Sequence, residues 1–330
     1  MSLGTSAPRL PLASLAARAP GSVRRTMHVD VGARTGWGVD LAMSGAARDV
    51  RTGTDTTAAE VLSAAEVHAS FDGERKLVSL ECDPRTAWTE ALVGARAGGG
   101  FRRRLEEVVP DTARRSLVRQ VLDDMPAAAL ISGYGFMRLA RRQGHHPGSL
   151  TPPGALDRMV NLCSGWRAGG AAAVSIGIGH GVPLQDCPPA PAWPEDDPWA
   201  FHPVEGLAPD AMRRRRCLDA SPGDDGSVAV WAMFRDTVGE PEGGEAVLHE
   251  YAVRAVVGDG VITAISAEPR VLPFVECPGA AGEVGALVGT AVSELPSAVP
   301  ETIVGIASCT HLNDLLRALG GIAGLLDQVG

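Results

Sequence analysis

The chain has 330 residues, 45% of them hydrophobic, and carries a net charge of −9 with a pI near 5.4. A chain of this size and composition can bury a sizeable core, arranged as one large domain or two medium ones. The acidic balance argues against a nucleic-acid partner, and no apolar run is long enough to span a membrane. The six cysteines form no C-x-x-C pair. We therefore expect a cytoplasmic protein whose partner is a small-molecule substrate.

The chain begins with a segment, residues 1–22, that mixes Ser, Ala, Leu, Pro and Arg without a continuous apolar stretch. This composition predicts a disordered arm rather than a signal peptide. Apolar runs separated by turn residues then predict strands in hairpins, at 27–31, 37–43, 67–71 and 76–80. Helices are predicted to follow these strands, at about 86–93, 99–109 and 111–125.

A connecting segment, residues 141–212, is rich in proline and glycine. Beyond it the order of elements recurs, with predicted strands at 228–234, 247–257 and 261–267 and helices near 281–295 and 309–326. Strands that come first and helices that follow predict an α+β fold with antiparallel sheets.

The two halves of the chain also match in sequence. Segment 92–117 aligns with segment 287–312 without a gap, and Arg25 aligns with Arg216 near the start of each half. Matches that keep the same order along the chain are typical of an internal repeat. We therefore predict two divergent repeats, each an antiparallel sheet of strand hairpins followed by helices, which pack as one pseudo-symmetric body. Their bounds are 23–140 and 213–330.

A short motif marks the start of the last predicted helix, where Cys309 and His311 stand two residues apart. Leucines recur after it at helical spacing, so both side chains are expected at a helix N-terminus. Backbone N–H groups and the helix dipole favour a thiolate there. The aligned residues of the first repeat are Arg114 and Ser116. The first repeat therefore lacks both the cysteine and the histidine. We predict that the second repeat carries the functional site and that the first is a structural copy.

Further motifs run through the second repeat: Arg215-Arg216, Asp236, His249, Cys277-Pro278, Leu287-Val288-Gly289 and Cys309-Thr310-His311-Leu312. With these motifs the chain resembles the bacterial domain of unknown function 2889 family. Two stretches of the connecting segment, Cys163-Ser164-Gly165-Trp166 and Asp196-Asp197-Pro198 with His202, resemble its longer, duplicated actinobacterial form. The sequence departs from the family pattern at Ser308, where glycine is usual. The resemblance implies no particular reaction, but it indicates where the functional site lies.

Four side chains of the second repeat are predicted to bind a metal ion: His249, Cys277, Cys309 and His311. Two imidazoles and two thiolates suit zinc best, and they would also bind copper or iron. Four protein ligands would make a closed structural site, whereas three would leave a position open for chemistry. Asp236 is predicted to orient a ligand or to act as a general base.

The leading hypothesis is a metal-dependent enzyme of bacterial small-molecule metabolism that acts on a carbonyl-containing substrate. The metal would serve as a Lewis acid in a hydrolase, lyase or cyclase reaction, with Asp236, Cys309 and His311 as catalytic residues. The sequence contains no dinucleotide or nucleotide-binding motif, so no organic cofactor is expected. A homo-oligomer is compatible with the sequence.

Three other interpretations stay open. Cys309 could be the nucleophile of an acyl hydrolase or transferase, with His311 or His249 accepting its proton and helix N–H groups binding the oxyanion. The sheet could instead hold an apolar metabolite without catalysing a reaction. The cysteines could also pack simply as small apolar side chains.

Two further features carry weaker signals. His202 lies near Asp196 and Asp197, which suggests an acid–base group, although an Asp-Asp-Pro sequence more often makes a turn. The basic run Arg213–Arg216 contains no aromatic residue. We interpret it as a set of ion pairs or a strand edge rather than a phosphate clamp.

Overall fold

The computed structural model of the protein describes residues 10–33, 40–151, 153–184, 186–193, 196–223, 225–327 and 329. Eight strands lie in this part of the chain: β1 (Val23–Gly32), β2 (Leu41–Thr52), β3 (Ala59–Phe71), β4 (Leu77–Asp83), β5 (Met212–Pro222), β6 (Val228–Gly239), β7 (Glu245–Gly258) and β8 (Val261–Val271). They form one sheet in the order β4-β3-β2-β1-β5-β6-β7-β8, and all neighbours are antiparallel. The prediction of a mixed α+β fold is confirmed.

The described residues also contain seven α-helices: α1 (Phe101–Val108), α2 (Leu117–Arg142), α3 (Ala155–Met159), α4 (Ala171–Gly177), α5 (Leu295–Thr302), α6 (Thr310–Ala318) and α7 (Ala323–Leu326). The helix predicted at 111–125 starts later, because Ser116 caps it by accepting a hydrogen bond from the Arg119 N–H at 3.3 Å. Within the described residues, no helix combines the length and the apolar character needed to cross a membrane.

Part of the helix predicted at 281–295 is a 3-10 helix instead, Cys277–Leu287. Glycine occupies every third position of this segment, at 279, 282 and 285. Glycine is a poor α-helix former, and a spacing of three matches the three residues per turn of a 3-10 helix. The local composition therefore explains why this segment is wound more tightly than predicted.

The two halves of the chain meet at the centre of the sheet, where β1 pairs with β5. Each half supplies four consecutive strands, so the hairpins join a single sheet rather than forming one sheet in each half. The first predicted hairpin includes residues 34–39, which lie outside the described part of the chain. Its second strand, predicted at 37–43, is described from Leu41 onward as β2.

Helices cover one side of the sheet, which we call the helical face. α2 packs against β1, β2 and β3, and α6 packs against β6. Gly45 of β2 allows the close approach of α2, since a Cβ there would lie 2.7 Å from Val121 Cγ1 and 2.9 Å from the His28 carbonyl oxygen. Two apolar clusters result, one beneath α2 and one beneath α6.

The opposite face of the sheet is covered by irregular chain segments. Leu12 and Trp193 pack there against an apolar cluster that includes Met233. Residues 10–22, predicted as part of a disordered arm, thus lie against the sheet, because their apolar side chains cover a strip that water would otherwise contact. Residues 1–9 lie outside the described part of the chain. With both faces covered, β5, β6 and β7 are buried over most of their length.

Candidate functional site

Arg214, Asp236 and His249 form one row across three neighbouring strands. Arg214 of β5 lies directly opposite Asp236 of β6, which lies directly opposite His249 of β7. A β-bulge follows Asp236 in the β6–β7 pairing, and bulges are frequent where a strand must aim a functional side chain. The row belongs to the helical face, because Arg214 contacts Asp314 and His249 contacts His311, both on α6. Strand pairing and helix docking together therefore build the site.

The Arg214–Asp236 pair fixes an ionised carboxylate inside the protein. Nε and Nη2 of Arg214 donate to the two oxygens of Asp236 at 2.7 and 2.9 Å. Both side chains are buried, with 1% and 0% of their surface exposed. Burial opposes ionisation, but the Arg214 guanidinium outweighs it and holds the pKa of Asp236 well below its usual range. Asp236 is therefore a charged group with one orientation.

The rings of His249 and His311 stack with their centroids 3.8 Å apart and an angle of 20° between them. His249 Nδ1 lies 3.3 Å from Asp236 Oδ2 without forming a hydrogen bond, and it has no other hydrogen-bond partner among the described residues. Burial, together with the adjacent His249, lowers the pKa of His311 well below its ordinary value. His311 is thus neutral near neutral pH, the state in which an imidazole binds a metal.

Asp236, His249 and His311 form a group that could hold one ion. Each offers a ligand atom, and these three atoms all lie within 4.8 Å of one another. Asp236 and His249 are buried, whereas His311 keeps partial exposure. The Asp236 oxygens retain lone pairs although Arg214 donates to both. Two imidazoles and one carboxylate are a ligand set that binds zinc and non-haem iron.

The predicted ligands Cys277 and Cys309 pack in the apolar cluster beneath α6. Among the described residues, no group of three side chains with ligand atoms within 4.8 Å of one another includes either cysteine. Burial raises the pKa of both thiols, and at Cys309 it outweighs the nearby backbone N–H groups of Leu312 and His311. The thiolate predicted at this helix N-terminus is therefore disfavoured.

Sequence reasoning misses Asp314, which connects the site to the neighbouring helices. It lies on α6 three residues after His311, and its Oδ2 accepts hydrogen bonds from Arg214 and, at 3.0 Å, from Arg216. Arg102 of α1 donates to its other oxygen. The available signal is the spacing of three from His311, which places both side chains on one side of the helix.

The basic run Arg213–Arg216 lies in β5 at the centre of the sheet, not at an edge. Its side chains alternate between the two faces, as strand geometry requires. The second and fourth arginines pair with aspartates on the helical face, and the first and third share Glu245 on the opposite face. The interpretation as ion pairs is confirmed.

A row of the same design lies in the first half of the sheet. Arg25 of β1 lies opposite Asp49 of β2, and Asp49 lies opposite Ser63 of β3. Arg25 Nε and Nη2 donate to the two Asp49 oxygens at 2.7 and 2.8 Å, and a β-bulge again follows the aspartate. Ser63 Oγ donates to Asp49 Oδ2 at 3.2 Å. A hydroxyl thus stands where the second half has the imidazole of His249.

The secondary candidate His202 lies on the opposite face of the sheet. Its Nδ1 is 2.8 Å from Thr26 Oγ1, and its Nε2 is 2.7 Å from His28 Nδ1. Asp197, which the sequence placed beside it, pairs with Arg18 at 2.8 Å. Burial lowers the pKa of His28 to about 4 and that of His202 to about 2. The two rings therefore form a neutral, hydrogen-bonded pair.

The second half of the chain has recognisable relatives at the level of a family. Residues 212–324 match the profile of a family described as a protein of unknown function, DUF2889. The matched region contains Arg214, Asp236, His249 and His311, together with both cysteines discussed above. Comparison with curated proteins found no match, and neither did comparison with solved structures. The family match thus covers the whole candidate site and assigns no reaction to it.

Proposed function

We propose that the protein is a metal-dependent enzyme of small-molecule metabolism that acts on a carbonyl-containing substrate, with its metal bound by Asp236, His249 and His311. The observation that carries the proposal is the approach of their three ligand atoms to within 4.8 Å of one another. Compared with the ligand set expected from the sequence, this set keeps both histidines and replaces the two cysteines with the aspartate.

The state of each side chain supports a divalent transition metal. His249 Nδ1 is a buried nitrogen without a hydrogen bond, an arrangement that is unfavourable unless another group binds it. Burial keeps His311 neutral by lowering its pKa, and Arg214 keeps Asp236 ionised by lowering the pKa of the carboxyl. Metal ligands must be in these deprotonated states. We propose zinc as the ion, with iron as the alternative for the same ligands.

Three protein ligands leave a position of the ion open to substrate or water. A zinc ion bound in this way supplies a Lewis acid that polarises a carbonyl oxygen, as a hydrolase, lyase or cyclase requires. Arg214 holds Asp236 in place through two hydrogen bonds, and Phe234 stacks near His311 with ring centroids 6.3 Å apart. The partly exposed edge of His311 marks the side from which a substrate would approach.

The alternative function as a thiol-dependent acyl hydrolase or transferase receives less support. A nucleophilic cysteine is active as the thiolate, which a lowered pKa favours. Burial raises the pKa of Cys309, and the thiol packs among apolar side chains of the core. We therefore prefer the metal-dependent function.

We further propose that the two halves are divergent copies and that the chain is the duplicated form of its family. The support is the shared row of arginine and aspartate, with a bulge after the aspartate in both halves. In the first half Ser63 takes the position of His249, and in the aligned sequence Ser116 takes the position of His311. The first copy would thus keep the ion pair and lack both imidazoles.

Metal analysis of the purified protein tests the site. We expect about one zinc or iron ion per chain, and less than about a tenth of that in His249→Ala and in His311→Ala. His28→Ala removes a partly buried histidine from the opposite face and is the matched control, so it should keep the metal. Cys309→Ala should also keep it, which distinguishes the proposed ligands from the set with cysteines.

Metal that stays bound in the double variant His249→Ala/His311→Ala would contradict the site. The reaction class is tested separately, by hydrolysis of p-nitrophenyl acetate before and after chelation. Activity that is lost with the metal and restored by zinc supports the Lewis acid. Stoichiometric metal in a protein that acts on no carbonyl compound would assign the ion to stability instead.

A further inference from the structure

A cleft lined by arginines opens between helices of the two halves, at the other end of α6 from His311. Its volume is about 560 Å³, and its walls come from α1, α2 and residues 317–324. Neither the candidate metal ligands nor the cysteines line it. The arginines that do are Arg102, Arg103, Arg114, Arg115, Arg119 and Arg317.

Arginines outnumber carboxylates among the lining residues of the cleft, although the protein as a whole has a net charge of −9. Among the described lining residues, six are arginines and two, Glu106 and Asp123, are carboxylates. Glu106 pairs with two of the arginines at one side, and Asp123 lies 3.4 Å from Arg102 and 4.0 Å from Arg317 at the other. Carboxylates outside the lining also pair with four of these arginines: Asp314 with Arg102, Glu107 with Arg103, Asp111 with Arg114 and Asp327 with Arg115.

Two of the arginines keep a buried hydrogen-bond donor unused. Nε of Arg119 and Nε of Arg317 are buried without a partner among the described residues. Burial lowers the pKa of Arg317, and the neighbouring cations Arg102 and Arg119 lower it further against the opposing effect of Asp123. Crowded cations with unused donors are stabilised when an anion binds between them.

We infer that the cleft binds the phosphate groups of a small-molecule ligand. Its volume falls in the range of small-molecule sites, about 300–1,000 Å³. Guanidinium forks match the oxygens of phosphate, and one phosphate group brings a charge of roughly −2 at neutral pH. Six guanidinium groups around one cleft offer enough N–H donors for a ligand with two phosphate groups. The hydroxyls of Ser293 and Ser297, which also line the cleft, add short polar groups beside the cations.

The cleft and the candidate metal site are separate but share a chain of contacts. Arg102 lines the cleft and donates to Asp314, and Asp314 also accepts from Arg214 beside the metal ligands. His311 and the cleft residue Arg317 are six positions apart on α6, about 9 Å along the helix axis. The inference does not depend on the metal, so phosphate binding is expected in the metal-free protein as well.

Isothermal titration calorimetry of the full chain with inorganic pyrophosphate tests the inference. Arg119→Gln should weaken binding about tenfold or more, since it removes a charge-assisted hydrogen bond. Arg138→Gln is the matched control, because Arg138 also lies on α2, pairs with Glu240 and is 22% exposed against 13% for Arg119. The control should bind as the unmodified protein does. Arg115→Gln, which changes a side chain that is 69% exposed, should weaken binding without disturbing the fold.

Citrate provides a second probe with a similar charge and no phosphate. Pyrophosphate should bind at least about tenfold more tightly than citrate, because phosphate concentrates more charge on fewer atoms. Equal affinities would overturn the assignment to phosphate. Pyrophosphate that does not bind at about 1 mM, or an equal loss of binding in Arg119→Gln and Arg138→Gln, would overturn the cleft as a binding site.

Discussion

The two halves of the sheet hold the same arginine–aspartate pair in the same register, and one half surrounds it with imidazoles. In the first half Asp49 accepts a further hydrogen bond from Ser63, a residue that is exposed at the surface. In the second half it lies beside His249, which is 7% exposed and stacks on His311. The comparison indicates that the ion pair belongs to the architecture of the sheet and that the histidines are additional to it.

The two aspartates also differ in whether the polar groups beside them are hydrogen-bonded. Asp49 accepts hydrogen bonds from Arg25 and Ser63, so its row contains no unused group. Asp236 accepts from Arg214, but the adjacent His249 Nδ1 stays unbonded. Among the described residues, the row of the second half thus contains a buried nitrogen without a hydrogen bond, and the row of the first half does not.

The largest effect is expected from removing either aspartate, and it shows whether the two ion pairs contribute equally to the stability of the fold. Asp49→Ala and Asp236→Ala should each lower the free energy of unfolding by about 3–5 kcal/mol, because each removes the carboxylate that accepts two hydrogen bonds from a buried guanidinium. Urea denaturation monitored by circular dichroism gives both values. Asp111→Ala, at a side chain that is 93% exposed, is the control and should change stability by less than about 0.5 kcal/mol. A small loss in one aspartate variant beside a large loss in the other would break the comparison.

The next effect concerns the partly buried imidazole of the first half, His28, which lies on the opposite face of the sheet. Its pKa is lowered by burial from 6.5 to about 4. The unfolded chain therefore takes up this proton at a higher pH than the folded protein does. Stability is retained above about pH 6.5 and is lost as the pH falls toward 4, with a loss of about 2 kcal/mol at pH 5 from this residue.

His28→Gln should remove this part of the pH dependence. The free energies of unfolding from urea denaturation at about pH 8 and pH 5 should differ by about 2 kcal/mol less in the variant than in the unmodified protein. The charged groups nearest to His28, Asp30 and Arg213, are unchanged and act as an internal control. Parallel pH profiles for the two proteins would show that His28 takes up its proton normally in the folded state.

The smallest expected effect concerns Ser63, the residue that takes the position of His249. Ser63→Ala should lower the free energy of unfolding by about 0.5 kcal/mol, since an exposed hydroxyl gains little over water when it bonds to a carboxylate. The same variant should leave the metal content of the protein unchanged, in contrast to His249→Ala. A loss above about 2 kcal/mol would mean that Ser63 supports the first row as strongly as the ion pair does.

Local patterns in the sequence predict much of the fold. Apolar runs with turn residues between them predict the hairpins, and the leucines after His311 predict α6, because both patterns repeat over a few residues. The helix predicted at 111–125 is less accurate, since α2 continues through Pro126 to Arg142 against the packing surface of the sheet. Tertiary contact thus stabilises a helix beyond the point at which sequence signals predict its end.

The sequence alignment of the two halves differs by two residues from the alignment that the structure gives. The sequence match aligns Arg25 with Arg216, whereas the ion pairs place Arg25 at the position of Arg214. A shift of two residues keeps every side chain on the same face of a strand, so the pattern of apolar and polar residues is almost the same in both alignments. The partner across the sheet distinguishes them, and only the folded chain contains that partner.

The sequence by itself determined the class of fold, and it pointed to the second half for the candidate site, with His249, Asp236 and His311 as residues of interest. The tertiary structure decided which of these residues come together. His249 and His311 are distant in the chain and stack because α6 docks on the sheet against β6, whereas Cys309, two residues from His311, packs into the apolar cluster. Strand pairing and helix docking act between distant residues, and side chains two positions apart at a helix start leave its axis in different directions. Local spacing therefore could not separate the cysteine from the histidine.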